Sequence, residues 1–366
     1  MLRSFSRATR GVALLVVLLT GAFGLAACSG SSNGSLPQGA ATPTQAACPT
    51  PVATAAPGSQ ETVTSGGEQR TYNVWLPTGY DGVKRVPVVV DFHGTAGNSV
   101  AYATKFSGLG AEAPQRGYLY VAPQATKGDA ASLRWRVPGT GQVPNDVQFT
   151  ADVLTDVAKK FCVDANRYYA SGFSSGGAFT TYVSCQLDAW AAVAPMSGVN
   201  LAAPCQTRPP MAMITFHGDN DQTAAYTGLA GADNTTNPDA FYDADVQKTV
   251  DQWAVRNGCQ PGRVDTTPVA TITRRTYNGC KADTVFYIVG GAGHTYTGGP
   301  KIPASIADSL GGQSQAIDAA KVLLDFFDAH SRATPPVLVP ATAAAAAAVP
   351  PGGAPVIATV TAPAPS

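Results

Sequence analysis

Between residues 61 and 332, short apolar runs alternate with stretches of helical periodicity. The runs "RTYNVWL", "VPVVVDF", "YLYVA", "RYYAS", "AAVAP", "MAMITFH" and "TVFYIV" are rich in β-branched and aromatic residues, and several are almost continuously apolar. Continuous apolarity marks strands that are covered on both faces by helices. Val147, Ala151, Leu154, Ala158 and Phe161 recur at spacings of four and three, which places them on one face of a helix. Val246, Val250 and Trp253 do the same, as do Ile317, Ala320, Leu324 and Phe327. The alternation predicts an α/β fold, a doubly wound and mostly parallel sheet with helices on both faces. The stretch "ITRRTYNGCKADTVFYIV" reads as an antiparallel hairpin near one edge of it, and no internal repeat is visible.

The ends read differently. Arg3, Arg7 and Arg10 precede the apolar run "GVALLVVLLTGAFGLAAC", which is short for a spanning helix and has the layout of a secretory signal over residues 1–27. "LAAC" looks like a bacterial lipobox, so Cys28 is the expected lipidation site and mature N-terminus, and diacylation there would hold the protein on a membrane surface. Simple secretion after cleavage at Ala27 is the alternative. Residues 28–60 are Ser, Gly, Ala, Thr and Pro with almost no charge, a tether that cannot build a core. Residues 333–366 form an Ala/Pro-rich tail of the same kind. The expected domains are therefore signal, tether, a body at 61–332, and tail.

Composition narrows the class of partner. The 366-residue chain is 45% apolar and 13% charged, enough to bury a large core, and its 24 Lys and Arg balance 24 Asp and Glu. No whole-chain field favours nucleic acid, and a membrane is expected to be met only through the lipid anchor. The expected oligomeric state is a monomer.

Export makes the cysteines informative, because oxidising compartments let disulfides persist. Setting Cys28 aside leaves six of seven. Cys259 follows the helix stop Asn257-Gly258 and Cys280 follows the hairpin signal Asn278-Gly279, so a bridge between them would clip a helix end to a turn. Cys185 and Cys205 flank one strand and its loop, which leaves Cys48 and Cys162 by elimination. A buried free thiol is the alternative for any of them, Cys162 first.

The nine residues "SGFSSGGAF" pack three serines and three glycines between an expected strand and an expected helix. Gly172-Phe173-Ser174-Ser175-Gly176 fits the G-x-S-x-G pattern in the strand-turn-helix context that this pattern requires. Small residues leave room where helix and strand nearly collide, and Ser174 is held up at the sheet edge as a candidate nucleophile. The first N–H groups of the helix, Ser175 foremost, point to where negative charge would develop on an attacked carbonyl.

A serine nucleophile needs a base, and histidine is the usual one. His330 ends the last helix. His93 and His217 each close an apolar strand beside a glycine, where a histidine commonly braces a loop. His294 lies in the glycine-flanked loop "GGAGHTYTGG" after "TVFYIV" and is selected by elimination. Two carboxylates compete to orient it, Asp219 and Asp221, both in the loop after "MAMITFH"; strand-end position does not separate them.

With these residues in place, the chain from Glu61 to Ala329 resembles the esterase family that groups poly(3-hydroxybutyrate) depolymerases with bacterial feruloyl esterases, serine esterases of the α/β-hydrolase fold. The segments that carry the resemblance are "FHGTAGN", "NDVQFTADVLTDVAKKFCVDANRYYASGFSSGGAF", "DAWAAVAPMSG", "FHGDNDQTAAY", "WAVRNGC" and "GGAGHTYTGG". The family's His-Gly-x-x-Asp motif falls on His217, Gly218 and Asp221, so the resemblance selects Asp221 and leaves Asp219 as a loop carboxylate. Its His-Gly-x motif falls on His93, Gly94 and Thr95, implying the Thr95 N–H as a second oxyanion donor beside that of Ser175. It also implies a substrate contact from Trp135, and Tyr296 keeps an aromatic wall at the site; ordinary packing of amphipathic aromatics is the alternative for both. The family often has His-x-Trp-Pro-Gly-Gly where this chain has His294-Thr295-Tyr296-Thr297, which keeps an aromatic wall and loses the stiffening proline.

The resemblance implies an exported carboxylic-ester hydrolase working through Ser174, His294 and Asp221 and an acyl-enzyme, with no metal or organic cofactor. The expected substrates are hydroxycinnamoyl esters, plant-polysaccharide-linked ones among them, hydroxybutyrate oligomers, or short-chain esters. An acyltransferase of the mycolyltransferase type and a non-catalytic surface protein on an esterase scaffold are the alternatives.

Overall fold

The computed structural model describes residues 45, 47–49, 55–126, 135, 145–205, 208–229, 244–336 and 338. The expected signal segment, Cys28 and nearly all of the C-terminal tail lie outside them.

The chain builds one ten-stranded sheet. Its strands are β1 (Ser59–Ser65), β2 (Glu68–Trp75), β3 (Val86–Phe92), β4 (Leu119–Pro123), β5 (Val163–Phe173), β6 (Ala192–Met196), β7 (Ala212–Gly218), β8 (Gln260–Val269), β9 (Ile272–Asn278) and β10 (Thr284–Val289), in the order β1-β2-β4-β3-β5-β6-β7-β10-β9-β8. The six strands from β4 to β10 run parallel to one another. Antiparallel ribbons close both edges, β1–β2 at one and β9–β8 at the other. This is a mostly parallel sheet in the strand order of the α/β-hydrolase fold, with the expected hairpin in place. An additional strand, β8, lies beyond it and is exposed along its whole length.

Strand pleating divides the core into two layers. Val88, Val90 and Phe92 of β3 point to one face and Val89 to the other. On the first face pack α3 (Asp146–Lys160), α4 (Ser175–Gln186) and α5 (Val246–Arg256), through residues such as Leu154, Phe179 and Trp253. On the second pack α1 (Ser99–Lys105), α2 (Leu109–Gln115) and α7 (Ala319–Asp328), through Tyr102, Leu109 and Phe327. A short helix, α6 (Ala304–Ser309), has no buried residue.

The helices begin where their caps put them. The side chains of Asn145, Asp245 and Asp318 accept the backbone N–H of Gln148, Lys248 and Lys321, each satisfying a donor that the first helical turn cannot use internally. Each such cap is worth about 1 kcal/mol.

Disulfides join Cys48 to Cys162, Cys185 to Cys205 and Cys259 to Cys280, with Cα separations of 4.7, 5.6 and 3.7 Å. The first ties part of the expected tether to the body, as does the bond from Gln45 Nε2 to Asp164 Oδ1 at 2.7 Å. Strand β1 also begins two residues before the expected boundary at 61.

Candidate active site

Ser174 stands between β5 and α4 with φ 57° and ψ −121°, a left-handed backbone that a non-glycine residue adopts only at a cost of about 1–3 kcal/mol. Its surroundings impose that conformation. Ser174 N donates to Met196 O at 3.0 Å, and Ser174 O accepts from Ala178 N at 2.9 Å. A Cβ on Gly172 would lie 2.4 Å from Gly176 O, and one on Gly176 would lie 2.0 Å from Phe92 O. The small residues of "SGFSSGGAF" are therefore a steric requirement of a turn pressed between β3 and α4.

His294 comes from the loop after β10, and that loop is fixed by backbone bonds. His294 N donates to Leu310 O at 2.7 Å and Gly293 N to Gly312 O at 3.0 Å, while the imidazole packs against Phe173 at 4.8 Å between ring centroids. Its Nε2 lies 2.9 Å from Ser174 Oγ and its Nδ1 2.8 Å from Asp221 Oδ2. An ionised Asp221 can only accept, so Nδ1 carries the proton and the Nε2 lone pair faces the serine hydroxyl.

Asp221 is fully buried after β7. Its Oδ1 accepts the N–H groups of Thr223 and Ala224, both at 2.9 Å. Burial pushes the carboxyl upward, but the bond and charge of His294, His217 and the Thr223 N–H together hold it below the ordinary aspartate value. It is thus an anion at neutral pH, aimed at an imidazole that would become positive on accepting a proton.

Asp219 goes elsewhere: its Oδ1 accepts the backbone N–H of Gly291 at 2.7 Å. Between the two aspartates, Asn220 binds the same loop from its backbone, N to Ala292 O at 3.0 Å, and reaches Gly311 O with its side chain at 2.9 Å. Sequence reading missed Asn220. The signal available was an Asx pair beside the last strand ends, which does not say where the amide reaches.

The other histidines brace. Burial lowers His93 to a pKa of about 4; its Nδ1–H donates to Gly94 O at 2.7 Å and its Nε2 accepts Ala125 N at 3.1 Å. His217, likewise lowered by burial to about 4, donates from Nε2 to Ala224 O at 2.8 Å and touches Asp221 Oδ2 at 3.5 Å. His330 follows α7 and donates from Nδ1 to Phe326 O.

Gly94 sits close enough that a Cβ on it would lie 3.4 Å from Ser174 Cβ, and the next residue, Thr95, is exposed. Ser175 N–H is the first of α4 and has no intrahelical acceptor. Trp135 and Tyr296 are each 1% exposed. Their contacts in this structure are packing contacts. Trp135 donates its indole N–H to His93 O at 2.8 Å and stacks on Phe179, which steadies the Thr95 loop, while Tyr296 lies against Phe106 and Phe173.

Fold and site together define an α/β-hydrolase carrying a hydrogen-bonded Ser-His-Asp series. No family model matches the sequence. Among curated proteins the chain is 29% identical over 230 residues to feruloyl esterase B of Piromyces equi, covering 60% of this chain and 42% of that one. It is 26% identical over 250 residues to feruloyl esterase D of Neurospora crassa, covering 64% and 77%. It is 28% identical over 213 residues to feruloyl esterase C of Emericella nidulans, covering 56% and 69%. Among solved structures, an acetyl xylan esterase from Aspergillus awamori superposes with a TM-score of 0.48 at 16% identity, covering 65% of this chain and 94% of that one. The chain spans less than half the length of the Piromyces protein. By sequence it is similar to proteins named feruloyl esterases, over somewhat more than half of its length.

Proposed function

We propose that this protein is a serine esterase in which Ser174 attacks an ester carbonyl, His294 takes the hydroxyl proton on Nε2, and Asp221 holds the imidazole and stabilises its cation. The observation that carries this reading is the unbroken series Ser174 Oγ–His294 Nε2 at 2.9 Å and His294 Nδ1–Asp221 Oδ2 at 2.8 Å. The tetrahedral oxyanion would rest on the N–H groups of Ser175 and Thr95. Collapse releases the alcohol, which takes its proton from His294 and leaves an acyl-serine. Water, deprotonated by the same Nε2, then attacks the acyl carbonyl and regenerates Ser174 with release of the acid.

The relatives named as feruloyl esterases support a hydroxycinnamoyl ester as the substrate, ahead of hydroxybutyrate oligomers or short-chain esters. The three disulfides and the leader-like first 27 residues support export, with lipidation at Cys28 as its anchored form. Purified protein should hydrolyse p-nitrophenyl acetate and lose that activity on labelling of Ser174 by a phosphonate; unchanged turnover after labelling rejects the nucleophile. Methyl ferulate assayed beside hydroxybutyrate oligomers decides the acyl group, and acylated trehalose among the products would mark a transferase instead.

A further inference from the structure

At the opposite end of the sheet from Ser174 there is a cavity of about 390 Å³. It lies where β7 and β10 begin, and its walls include Arg208, Met211, Lys281, Arg332, Asp188 and Trp190. Asp221 and His294 follow the other ends of the same two strands. β7 has 7 residues, so the cavity is on the order of 20 Å from the hydrogen-bonded series. It is a separate place on the molecule, and the esterase reading makes no use of it.

Its charge is one-sided in a chain whose formal net charge is +0. Three cations, Arg208, Lys281 and Arg332, line it against one carboxylate, Asp188; the remaining ionisable group, His330, is paired with Asp283 at 3.2 Å. Asp188 is already engaged by Arg332 at 2.8 Å, and that bond, with the charge of Arg332 and then Arg208, holds its carboxyl below the ordinary value.

Both guanidinium groups are fixed. Arg208 donates from Nε to Cys185 O at 2.8 Å and from Nη2 to Gln186 O at 3.2 Å, at the end of α4 where the Cys185–Cys205 disulfide anchors the next segment. Arg332 donates from Nε to Thr334 O and from Nη1 to Asp188 and Trp190 O, and its backbone N–H is held by Asn166 O. Among the described residues these bonds leave Nη1 of Arg208 and Nη2 of Arg332 uncommitted. Lys281 is exposed and has no carboxylate partner among the described residues.

A further cation, Arg256, lies outside the cavity's lining but is near enough to Arg208 for their charges to interact. Arg256 is 6% exposed, its three guanidinium nitrogens have no hydrogen-bond partner among the described residues, and its Cζ lies 4.7 Å from the centre of the Trp253 ring. Burial, then the charge of Arg208, lowers it to about 10, so it is still protonated at neutral pH. A buried guanidinium without an anion is costly, and an anion held at Arg208 would lessen the repulsion between the two guanidinium groups.

We propose that this cavity is an anion-binding site, taking a small ligand that presents a carboxylate or phosphate to the preset guanidinium groups of Arg208 and Arg332, with the exposed Lys281 as the third cation. Preset forks suit planar or tetrahedral oxyanions and lose little freedom on binding them. The volume is at the lower end of small-molecule sites and matches a ligand of roughly one sugar ring in size.

Titration calorimetry on the full chain at constant ionic strength, with inorganic phosphate in one arm and citrate in the other, tests this. Saturable binding in at least one arm is expected, the responding arm giving the ligand chemistry. Lys281→Glu should weaken it about 10-fold or more, through one reversed charge, while hydrolysis of p-nitrophenyl acetate stays at its original rate. Absence of saturable heat in both arms overturns the proposal, and so does equal affinity in a Lys281→Glu protein that retains its turnover. A melting temperature that rises with salt without saturating is a bulk salt effect and also counts against it.

Discussion

Asp219 and Asp221 sit two residues apart in one loop and hold different parts of the same neighbour: Asp221 binds the His294 imidazole at 2.8 Å, and Asp219 binds the Gly291 backbone N–H at 2.7 Å. One sets the tautomer of the ring and the other sets the path of the chain that carries it. Asp221→Asn should give a folded protein with turnover lowered about 10⁴-fold, because an amide at that place can present a donor to Nδ1 and favour the wrong tautomer. Asp219→Asn leaves an acceptor oxygen available to Gly291 and should retain most turnover, with a stability loss on the order of 1 kcal/mol. Steady-state rates and urea midpoints for both variants check the assignment; a reversed pattern would move the orienting role to Asp219.

Ser174 Oγ and His294 Nε2, 2.9 Å apart, are expected to act as one unit. Ser174→Ala and His294→Ala should each lower turnover by roughly 10⁴-fold or more, and the double variant should be little worse than either single one, since the second loss removes nothing that still works. A double variant showing the product of the two single losses would mean independent roles.

Much of this arrangement was legible in the sequence, for identifiable reasons. The strands β3, β4, β6 and β7 are buried at every position, so their sequences are mostly apolar, with Asp91, Thr215 and His217 as the polar exceptions. Helices α3, α5 and α7 each bury one stripe, so theirs are periodic. β8 escaped because none of its residues is buried; "QPGRVDTTPV" is held by pairing with β9 and carries no apolar face. β1 has one apolar residue, Val63, and depends in the same way on β2. At the site, the turn glycines report sterics that are local, so Ser174 was readable. The choice between Asp219 and Asp221 depends on where a loop more than 70 residues later arrives, as does the reach of Asn220 to Gly311. The residues left that choice open, and it was family resemblance that singled out Asp221. Trp135 and Tyr296 were legible as aromatics near the site, but their burial is a property of the packed structure.

The turn itself can be tested at Gly176. A methyl group there would meet Phe92 O at 2.0 Å and His93 O at 2.7 Å, both backbone atoms of the segment that leads to Thr95. Gly176→Ala should therefore destabilise by about 3 kcal/mol or more. Turnover in the fraction that folds should fall as well, since relief of the clash moves the Thr95 N–H relative to Ser174. Thermal melts paired with rates normalised to active sites measure both effects, and a variant with wild-type stability would contradict the close packing of β3 on α4.

Buried titrating groups set the pH dependence of stability, and three of them dominate near neutrality. His93 and His217 have folded values depressed from 6.5 to about 4, largely by burial, so each contributes stability that is present above pH 6.5 and is lost as pH falls through about 4. Asp91, fully buried under the hydroxyls of Tyr120 and Tyr102, is raised by burial from 3.8 to about 6, so its contribution is present below pH 3.8 and is lost as pH rises through about 6. Each group is worth about 3 kcal/mol, two acting against one, so acidification from about pH 7 to pH 4 should lower stability by a net amount on the order of 3 kcal/mol. Asp91→Asn removes the opposing term, and the loss on acidification should then grow by about 3 kcal/mol, a steeper slope from two histidines alone. Urea unfolding at a series of pH values gives the slope directly; an Asp91→Asn slope near zero would show that His93 and His217 are not buried as neutral rings, and an Asp91→Asn slope no steeper than wild type would show that Asp91 does not oppose them.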